Sequence, residues 1–474
     1  MRHKSGEPPL APPLGGDELV AAKGAANPAP DPTELEDEPF STNDVVDRVE
    51  QTSEALAPVP PTRPRLMHSL SVAVAAFVLV VAAVAAGALL TRGDVPVAGN
   101  VDPGCEDIAT DPGESMDSFE SSDYNPFVGI QQALVSQSTG PFFFARVTGP
   151  VSANELYFRL VTLESFNGEL FHANRPNLQA LDVQPWIDPC HAWTGPASAG
   201  TVDVVIERLR TDWMPSPVSP VALSGNQDVV EDIRVRFADG SFRLDGALSN
   251  SGMAYAVEVE IPRIDVGALI TDAEGTLTPL FAAAATAGES LPATHPPALT
   301  RVGPPDRNRH LALPFDESDK DRLRALAESV TTRAASAFDS GLQLEVWFHS
   351  QAFAYTLPVE TDLGKISITS WLLDPESPRY RVGYAEQFSA AFAVLARALD
   401  IPSRVVFGFA PGDLEDGETM VVRDRSAHAW VELWMAQHGW MSFDPTPRPA
   451  GDGLPTHQTL ADELGFDLTP YLTD

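Results

Sequence analysis

The feature that most constrains the fold of this chain is a helical pattern that begins near Ala385. Its apolar residues recur at steps of three and four and form one stripe. They are Ala385, Phe388, Phe392, Leu395 and Leu399. The pattern ends at Asp400-Ile401-Pro402, because proline cannot continue a helix. The sequence therefore predicts a helix with a buried face that includes Ala385.

Three segments after this helix are rich in β-branched or aromatic residues and are bounded by Gly or Pro, a pattern that predicts strands. They are Arg404–Phe409, Ala427–Trp434 and Trp440–Phe443. His428 lies in the second segment, and Asp444 directly follows the third. The expected order is thus a helix, a strand, a strand with a histidine, and a strand that ends at a carboxylate.

Three phrases in this region resemble the core of the transglutaminase-like (papain-like) superfamily. They are Gly383-Tyr384-Ala385-Glu386-Gln387-Phe388, Ala427-His428-Ala429-Trp430-Val431-Glu432 and Gly439-Trp440-Met441-Ser442-Phe443-Asp444-Pro445-Thr446-Pro447. The resemblance implies a catalytic Cys that opens the helix, a His on one strand, and an Asp or Asn at the end of the next. His428 and Asp444 match the second and third positions, whereas Ala385 occupies the nucleophile position.

The resemblance implies chemistry that depends on the missing sulfur. A Cys at a helix N-terminus is stabilised as a thiolate by the positive end of the helix dipole, and the thiolate is the nucleophile. A neighbouring His supplies and removes protons, and a carboxylate orients the imidazole. Ala385 has neither a proton nor a lone pair to offer. The expected site therefore keeps the histidine and the carboxylate and lacks the sulfur nucleophile. We expect its cleft to be lined by Tyr384, Glu386 and Trp430.

Three interpretations of Ala385 stay open. The chain is a natural pseudoenzyme, or another nucleophile serves, or Ala385 is an engineered substitution in an active amide- or peptide-processing enzyme of the transglutaminase or cysteine-protease type. Ser389 and Tyr384 are the nearby candidates for a second nucleophile. Ser389 would be displaced by roughly 6 Å along the helix axis, so the pseudoenzyme interpretation is favoured.

A second feature is the uncharged run Leu70–Leu90, dominated by Val, Ala and Leu. At about 1.5 Å per residue it is long enough to cross the hydrocarbon core of a bilayer, which predicts a single transmembrane helix at 67–91. Arg63 and Arg65 precede the run and Arg92 follows it. This bias predicts a cytoplasmic N-terminus and an extracytoplasmic C-terminal part at the cell membrane.

The sequence contains two cysteines, Cys105 and Cys190, and both fall on the predicted outer side. Disulfides persist in that environment, so we expect a Cys105–Cys190 bond, with two unrelated thiols as the alternative.

A net charge of −35 argues against nucleic-acid binding, because phosphate recognition needs clustered Lys and Arg. The acidic loop Asp413–Glu418 lacks EF-hand spacing and is interpreted as a solvated hairpin tip. With neither zinc-ligand spacing nor a nucleotide-binding glycine motif, we expect no metal and no cofactor.

The predicted fold class is α+β: a papain-like transglutaminase core, a β-rich membrane-proximal domain and one N-terminal transmembrane helix. The expected segments are a disordered acidic, Pro-rich tail (1–66), the span (67–91), a linker (92–123), the β-rich domain (124–265), a linker (266–312), the core (313–449) and a tail (450–474). Strands of the β-rich domain are expected at Phe142–Thr148, Glu155–Leu163, Val202–Leu209, Ile233–Phe237 and Ala254–Ile261. The core should begin with a helix capped by Asp316 or Ser318, and a second helix should cover Leu342–Phe348.

Phrases of the β-rich region, such as Trp213-Met214-Pro215-Ser216-Pro217, resemble the domain between membrane and core in bacterial membrane transglutaminase-like proteins. Three functions are consistent with this organisation. They are a membrane-tethered inactive module that binds peptide or cell-envelope amide ligands, an enzyme with relocated chemistry, and a structural envelope protein whose β-rich domain binds.

Overall fold

The computed structural model describes residues 140–153, 156–173, 177–187, 196–272, 274–287, 291, 304, 306–356, 367–415, 417–436 and 438–447. The predicted tails, the predicted span at 67–91 and the linker at 92–123 lie outside these residues, and so do Cys105 and Cys190. Within the described ranges, no helix combines the length and the apolar character that a bilayer crossing requires.

The described strands are short to medium in length and alternate with few helices in the first half of the chain. In order they are β1 (Pro141–Thr148), β2 (Phe158–Leu163), β3 (Ser165–Phe166), β4 (Phe171–His172), β5 (Leu178–Ala180), β6 (Ala197–Ile206), β7 (Trp213–Met214), β8 (Ser216–Pro217), β9 (Pro220–Gly225), β10 (Ile233–Arg236), β11 (Phe242–Leu244), β12 (Ala254–Pro262), β13 (Ala354–Tyr355), β14 (Val382–Gly383), β15 (Ser403–Phe409), β16 (Asp413–Leu414), β17 (Thr419–Arg423), β18 (Ala427–Met435) and β19 (Gly439–Phe443).

The described helices concentrate in the second half. They are α1 (Gln227–Val230), α2 (Val266–Leu269), α3 (Pro279–Ala287), α4 (Arg307–Leu311), α5 (Glu317–Val330), α6 (Ala337–Phe348), α7 (Ile368–Leu373) and α8 (Ala385–Ala398), and a 3-10 turn covers Asp424–Ser426. This mixture of helices and sheets agrees with the helix and strand content expected of the predicted α+β class.

Two sheets organise the described part of the chain. One has the strand order β16-β17-β1-β6-β12-β9, and the other has the order β19-β18-β15-β2-β8. Smaller sheets have the orders β5-β10-β11-β7, β13-β14 and β3-β4. Strand β2 comes from the region predicted as a separate β-rich domain, yet it pairs with β15 in the sheet that carries His428. Strand β17 of the predicted core pairs in turn with β1.

The regions 124–265 and 313–449, predicted as a β-rich domain and a core, are therefore connected through shared sheets. Each region supplies strands to the sheet of the other, because the β16–β17 hairpin leaves the core sheet between β15 and β18 and joins the other one. Local sequence patterns predict strands but carry no information about such distant pairing.

The region 266–312, predicted as a linker, contains α2, α3 and α4 within its described residues. Helix α3 buries Leu280, Phe281 and Ala284, and the side chain of Asp265 accepts a hydrogen bond from the backbone N–H of Ala268 at the start of α2. The linker was predicted without these helices, of which α3 is alanine-rich and packs through a few large side chains.

Helices α5 and α6 begin at capping residues. Asp316 accepts a hydrogen bond from the N–H of Asp319 at 2.8 Å, which confirms one of the two caps predicted for α5. Helix α6 begins five residues before the predicted Leu342, because Ser336 accepts a hydrogen bond from the N–H of Asp339 at 3.0 Å.

Asp339 is a fully buried carboxylate in the first turn of α6. It accepts hydrogen bonds from the Thr278 hydroxyl at 3.1 Å and from the N–H of Ala335 at 3.0 Å, and so connects the start of α3 to α6. Burial raises its pKa to about 6, since these hydrogen bonds only partly offset the loss of water.

We expect the pH dependence of stability to reflect this carboxyl group. Its pKa is higher in the folded than in the unfolded chain, so the folded state holds the proton more tightly, and stability falls as pH rises from about 4 to about 6. The loss amounts to about 3 kcal/mol at most. Urea unfolding of the parent and of Asp339→Asn at pH 4 and pH 7 measures this loss of stability. The parent should lose stability relative to the variant at pH 7, and a pH-independent difference between the two proteins would contradict the assignment.

Candidate active site

Ala385 is the first residue of α8 and is 2% exposed. Tyr384 precedes it as the N-cap, and the backbone N–H of Tyr384 donates a hydrogen bond to Oε1 of Gln387 at 3.0 Å. This side-chain interaction fixes where α8 begins. Helix α8 packs against β18, the strand that carries His428. The structure therefore places the Ala385 methyl group at a helix N-terminus, the position at which a thiol would be activated.

His428 and Asp444 form a direct hydrogen bond. The Nε2 atom of His428 lies 2.6 Å from Oδ2 of Asp444, and the imidazole is fully buried. The antiparallel pairing of β18 with β19, in which Val431 lies opposite Phe443, brings Asp444 beside the start of β18. Two of the three positions matched from sequence thus meet in the structure as a histidine–carboxylate pair.

Several further groups orient the Asp444 residue. The Tyr157 hydroxyl donates to Oδ2 at 3.2 Å, and the N–H of Thr446 donates to Oδ1 at 3.1 Å. The backbone of Asp444 is held as well, since its N–H donates to Oε1 of Glu345 at 2.7 Å and its C=O accepts from Nε2 of His349 at 2.8 Å. A carboxylate with this many partners has little freedom to turn away from the imidazole.

Sequence reasoning gave no role to Tyr157, Glu345 and His349. Their hydrogen bonds to Asp444 span 287, 99 and 95 residues of the chain, so no local spacing could have indicated them.

The approach of Tyr157 depends on a glycine. Gly408 of β15 lies opposite His428 of β18, and a Cβ atom built on it would lie 1.9 Å from the backbone oxygen of Phe158. Only glycine permits this contact, at an irregularity in the pairing of β15 with β2. Gly408 therefore lets the segment that contains Tyr157 close onto the His428–Asp444 pair.

Of the three predicted cleft residues, Trp430 lies beside the pair. The Trp430 ring stacks near the imidazole of His428, with ring centroids 6.4 Å apart and an angle of 20° between the planes. The Tyr157 ring meets the Trp430 ring edge-on, with centroids 5.0 Å apart. Trp430 is almost fully buried, and its ring lies on one side of the His428 imidazole. Tyr384 and Glu386 contact each other, because the phenol donates to the Glu386 carboxylate at 2.7 Å.

The two alternative nucleophiles differ in their surroundings. Ser389 is fully buried, and its hydroxyl has no hydrogen-bond partner among the described residues. A serine nucleophile needs a base within hydrogen-bond reach. Ser389 thus lacks the contact with His428 that would activate it, while the Tyr384 hydroxyl is engaged with Glu386.

The acidic loop at Asp413 forms part of the β16–β17 hairpin. Asp413 pairs with Arg423 and Arg425, so arginines offset its charge. Across the described ranges, no group of His, Cys, Asp and Glu is arranged to hold a metal ion.

A network of buried charges lies on the sheet behind the site. Glu432 of β18 pairs with Arg404 at 2.7 Å and with Arg159 of β2. Burial would raise the pKa of Glu432, but the guanidinium groups of Arg159 and Arg404 lower it below its ordinary value. Because Glu432 and Arg404 are in the second half of the chain and Arg159 is in the first, the network joins the two halves.

The network continues through Asp239 and Arg236. Arg159 donates to the backbone oxygen of Asp239 at 2.7 Å, and Arg236 contacts the Asp239 carboxylate at 2.8 Å and Glu164 at 2.5 Å. Although burial opposes the charged form, Arg236 and Arg159 hold the pKa of Asp239 below its ordinary value. These side chains pair with one another, and they were not identified from the sequence.

Two family models match this chain. The model of the transglutaminase-like superfamily matches residues 324–445, a range that includes Ala385, His428 and Asp444. The model of the TgpA N-terminal domain matches residues 46–265. Together they cover the region that precedes the site and the region that forms it.

Similar curated proteins come from two bacteria. A protein-glutamine gamma-glutamyltransferase of Pseudomonas aeruginosa is 35% identical over 175 residues, which are 36% of this chain and 24% of that protein. The protein YebA of Bacillus subtilis is 30% identical over 149 residues, 29% of this chain and 19% of YebA. The match thus spans a quarter or less of the length of these relatives.

Similar solved structures include the periplasmic domain of TgpA from Pseudomonas aeruginosa, with 23% identity and a TM-score of 0.45 over 67% of this chain and 90% of that one. A putative cysteine protease from Cytophaga hutchinsonii is 14% identical, with a TM-score of 0.26 over 67% of this chain and 79% of the other.

Proposed function

We propose that this chain, a member of the transglutaminase-like superfamily, is a pseudoenzyme that binds peptide or amide ligands at its inherited site and does not transfer acyl groups. The observation that carries the proposal is Ala385 at the first position of α8, a helix that packs against the strand of a hydrogen-bonded histidine–carboxylate pair. The module would be tethered by the predicted span at 67–91 and would face the cell envelope, where it acts as a binding or regulatory partner.

Covalent chemistry at this position requires an atom that alanine lacks. An acyl intermediate forms when a thiolate attacks a carbonyl carbon, and the methyl group of Ala385 has no electron pair to donate. Removing the nucleophile of an enzyme of this kind lowers turnover on the order of a million-fold. The proposal therefore predicts no amide or ester turnover above background.

Binding does not require the sulfur. The aromatic wall of Trp430 and Tyr157 and the oriented pair of His428 and Asp444 provide apolar surface and hydrogen-bonding groups in one place. One Pseudomonas aeruginosa relative is a protein-glutamine gamma-glutamyltransferase. By analogy, we propose a peptide that presents an amide as the ligand of this site.

Capture of partners by the full chain tests the proposal. His428→Ala removes a hydrogen bond from Asp444 and opens the wall beside Trp430, so we expect captured peptides or envelope components to fall about tenfold, the factor for the loss of one good hydrogen bond. His172→Ala in β4, a partly exposed histidine outside the site, is the matched control and should capture normally.

Two results would overturn the proposal. Identical capture by the parent and by His428→Ala, with both proteins folded, would mean that the site is unused. Turnover of an amide or ester by the parent that disappears in His428→Ala would instead establish an enzyme with relocated chemistry.

A further inference from the structure

Arg381 lies just before β14 and is surrounded by aromatic rings. Its guanidinium carbon is 5.0 Å from the ring centroid of Trp347, 5.3 Å from that of Phe353 and 4.7 Å from that of Tyr380. Contacts of this kind stabilise a cation beside aromatic rings. Arg381 is partly buried, so its charge is shielded from part of the surrounding water.

No carboxylate of the described residues pairs with Arg381. Its only described side-chain hydrogen bond runs from Nε to the backbone oxygen of Leu372 at 3.3 Å. Arg159 and Arg404 differ, since they share the carboxylate of Glu432. Arg397 is also buried without a carboxylate partner among the described residues, but its guanidinium donates to several backbone oxygens. Burial lowers the pKa of Arg381, as expected for a cation that lacks an anion.

The backbone of Arg381 is held in a strained conformation. Its φ of 57° lies in the left-handed region that residues with a Cβ atom rarely adopt. Hydrogen bonds on both sides maintain this conformation: the N–H of Arg381 donates to the oxygen of Trp371, and its oxygen accepts from the N–H of Ala354, each at 3.0 Å. The fold thus fixes the direction in which this side chain leaves the backbone.

Arg381 is close to the candidate site along two paths. It precedes Ala385 by four residues, so their Cα atoms lie within about 14 Å even if that segment is fully extended. Trp347, which packs against the guanidinium, is two residues before His349, whose Nε2 donates to the backbone of Asp444. A short peptide bound at the start of α8 can therefore span the distance to Arg381.

We propose that Arg381, presented on Trp347, Phe353 and Tyr380, binds a carboxylate of the peptide ligand. This inference rests on the proposed function and specifies its ligand as a peptide with an acidic group a few residues from the amide. A guanidinium forms two parallel hydrogen bonds with a carboxylate, and these bonds are strong when water is partly excluded.

The test measures binding of two fluorescein-labelled pentapeptides to the full chain, Ala-Ala-Gln-Ala-Ala with a free C-terminal carboxylate and the same peptide with a C-terminal amide. We expect the parent to bind the free acid about tenfold more tightly than the amide. Arg381→Gln should remove this preference by weakening the free acid, with the amide unchanged. Arg381→Lys should recover only part of it, because an ammonium group cannot form the paired hydrogen bonds.

Two further variants separate binding from folding. Arg379→Gln removes the same charge two residues earlier, where no aromatic cage is described, and should bind like the parent. Arg381→Gly removes the guanidinium while relieving the left-handed strain, so it should fold and still lose the preference for the free acid.

The outcomes distinguish this inference from the proposed function. Equal binding of acid and amide to the parent, or a preference that survives Arg381→Gln, would overturn the inference and leave the proposed function standing. If inorganic phosphate displaces both peptides and the parent shows no preference for the free acid, the inference would also be overturned. If neither peptide binds the parent and capture is insensitive to His428→Ala, the proposed function itself fails.

Discussion

Ala385→Cys should turn this chain into an acyl-transferring enzyme, with turnover of an activated ester raised on the order of a thousand-fold or more over the parent. The new sulfur would stand at the first position of α8, where the helix dipole and unpaired N–H groups favour the thiolate. The histidine–carboxylate pair is already formed and held by Tyr157, so the substitution adds the sulfur nucleophile to a histidine and a carboxylate that are already oriented. Steady-state hydrolysis of the ester by the parent and the variant measures the gain.

A matched thiol and a double variant control this experiment. Ser389→Cys places sulfur one turn further along α8, about 6 Å along the axis, in a buried environment that does not stabilise a thiolate, and should stay inactive. Ala385→Cys combined with His428→Ala should lose most of the gain. Equal turnover by the parent and by Ala385→Cys would contradict the assignment of residue 385 to the nucleophile position.

Glu432→Ala should destabilise the protein by about 3–5 kcal/mol, the cost of leaving a buried charge without its partner. Glu432 is the carboxylate shared by Arg159 and Arg404, whose side chains are 7% and 5% exposed. Both cations would then be buried without that carboxylate at the junction of the two halves of the chain. The midpoint of urea unfolding should therefore fall.

Glu418→Ala is the matched control for the charge network. Glu418 pairs with Arg146 at 3.1 Å and is 60% exposed, so its loss should cost less than about 1 kcal/mol. A similar small loss for Glu432→Ala would contradict the view that the buried network holds the two halves together.

The elements that could be predicted from the sequence are those specified by local patterns. Helix α8 ends at Ala398, ahead of Pro402, and the residues of its predicted apolar stripe are buried except Leu399, which is the C-cap and is partly exposed. Strands β15, β18 and β19 match their predicted segments within one residue at each end, because β-branched runs and bounding Gly or Pro residues define them. The family resemblance stated from these motifs is confirmed by the match over 324–445.

What could not be predicted depends on distant parts of the chain. Strand β6 runs from Ala197 to Ile206 and not from Val202 to Leu209, since pairing with β12 extends it to Ala197, opposite Pro262. Tyr157 reaches Asp444 only because β2 joins the core sheet and Gly408 permits the close approach. Pairings of this kind follow from the tertiary fold, which one sequence does not display.

The central claim is that the site of this chain differs from a catalytic site of the family mainly in lacking the cysteine sulfur. The rate of alkylation of Ala385→Cys by iodoacetamide, measured against pH, tests it most directly. The account predicts rapid labelling that persists to about pH 6 or below, as a thiolate beside a histidine and a helix N-terminus requires, and a shift of the profile towards the ordinary thiol pKa of about 8.5 when His428→Ala is added. An ordinary thiol profile that is the same with and without His428 would contradict it.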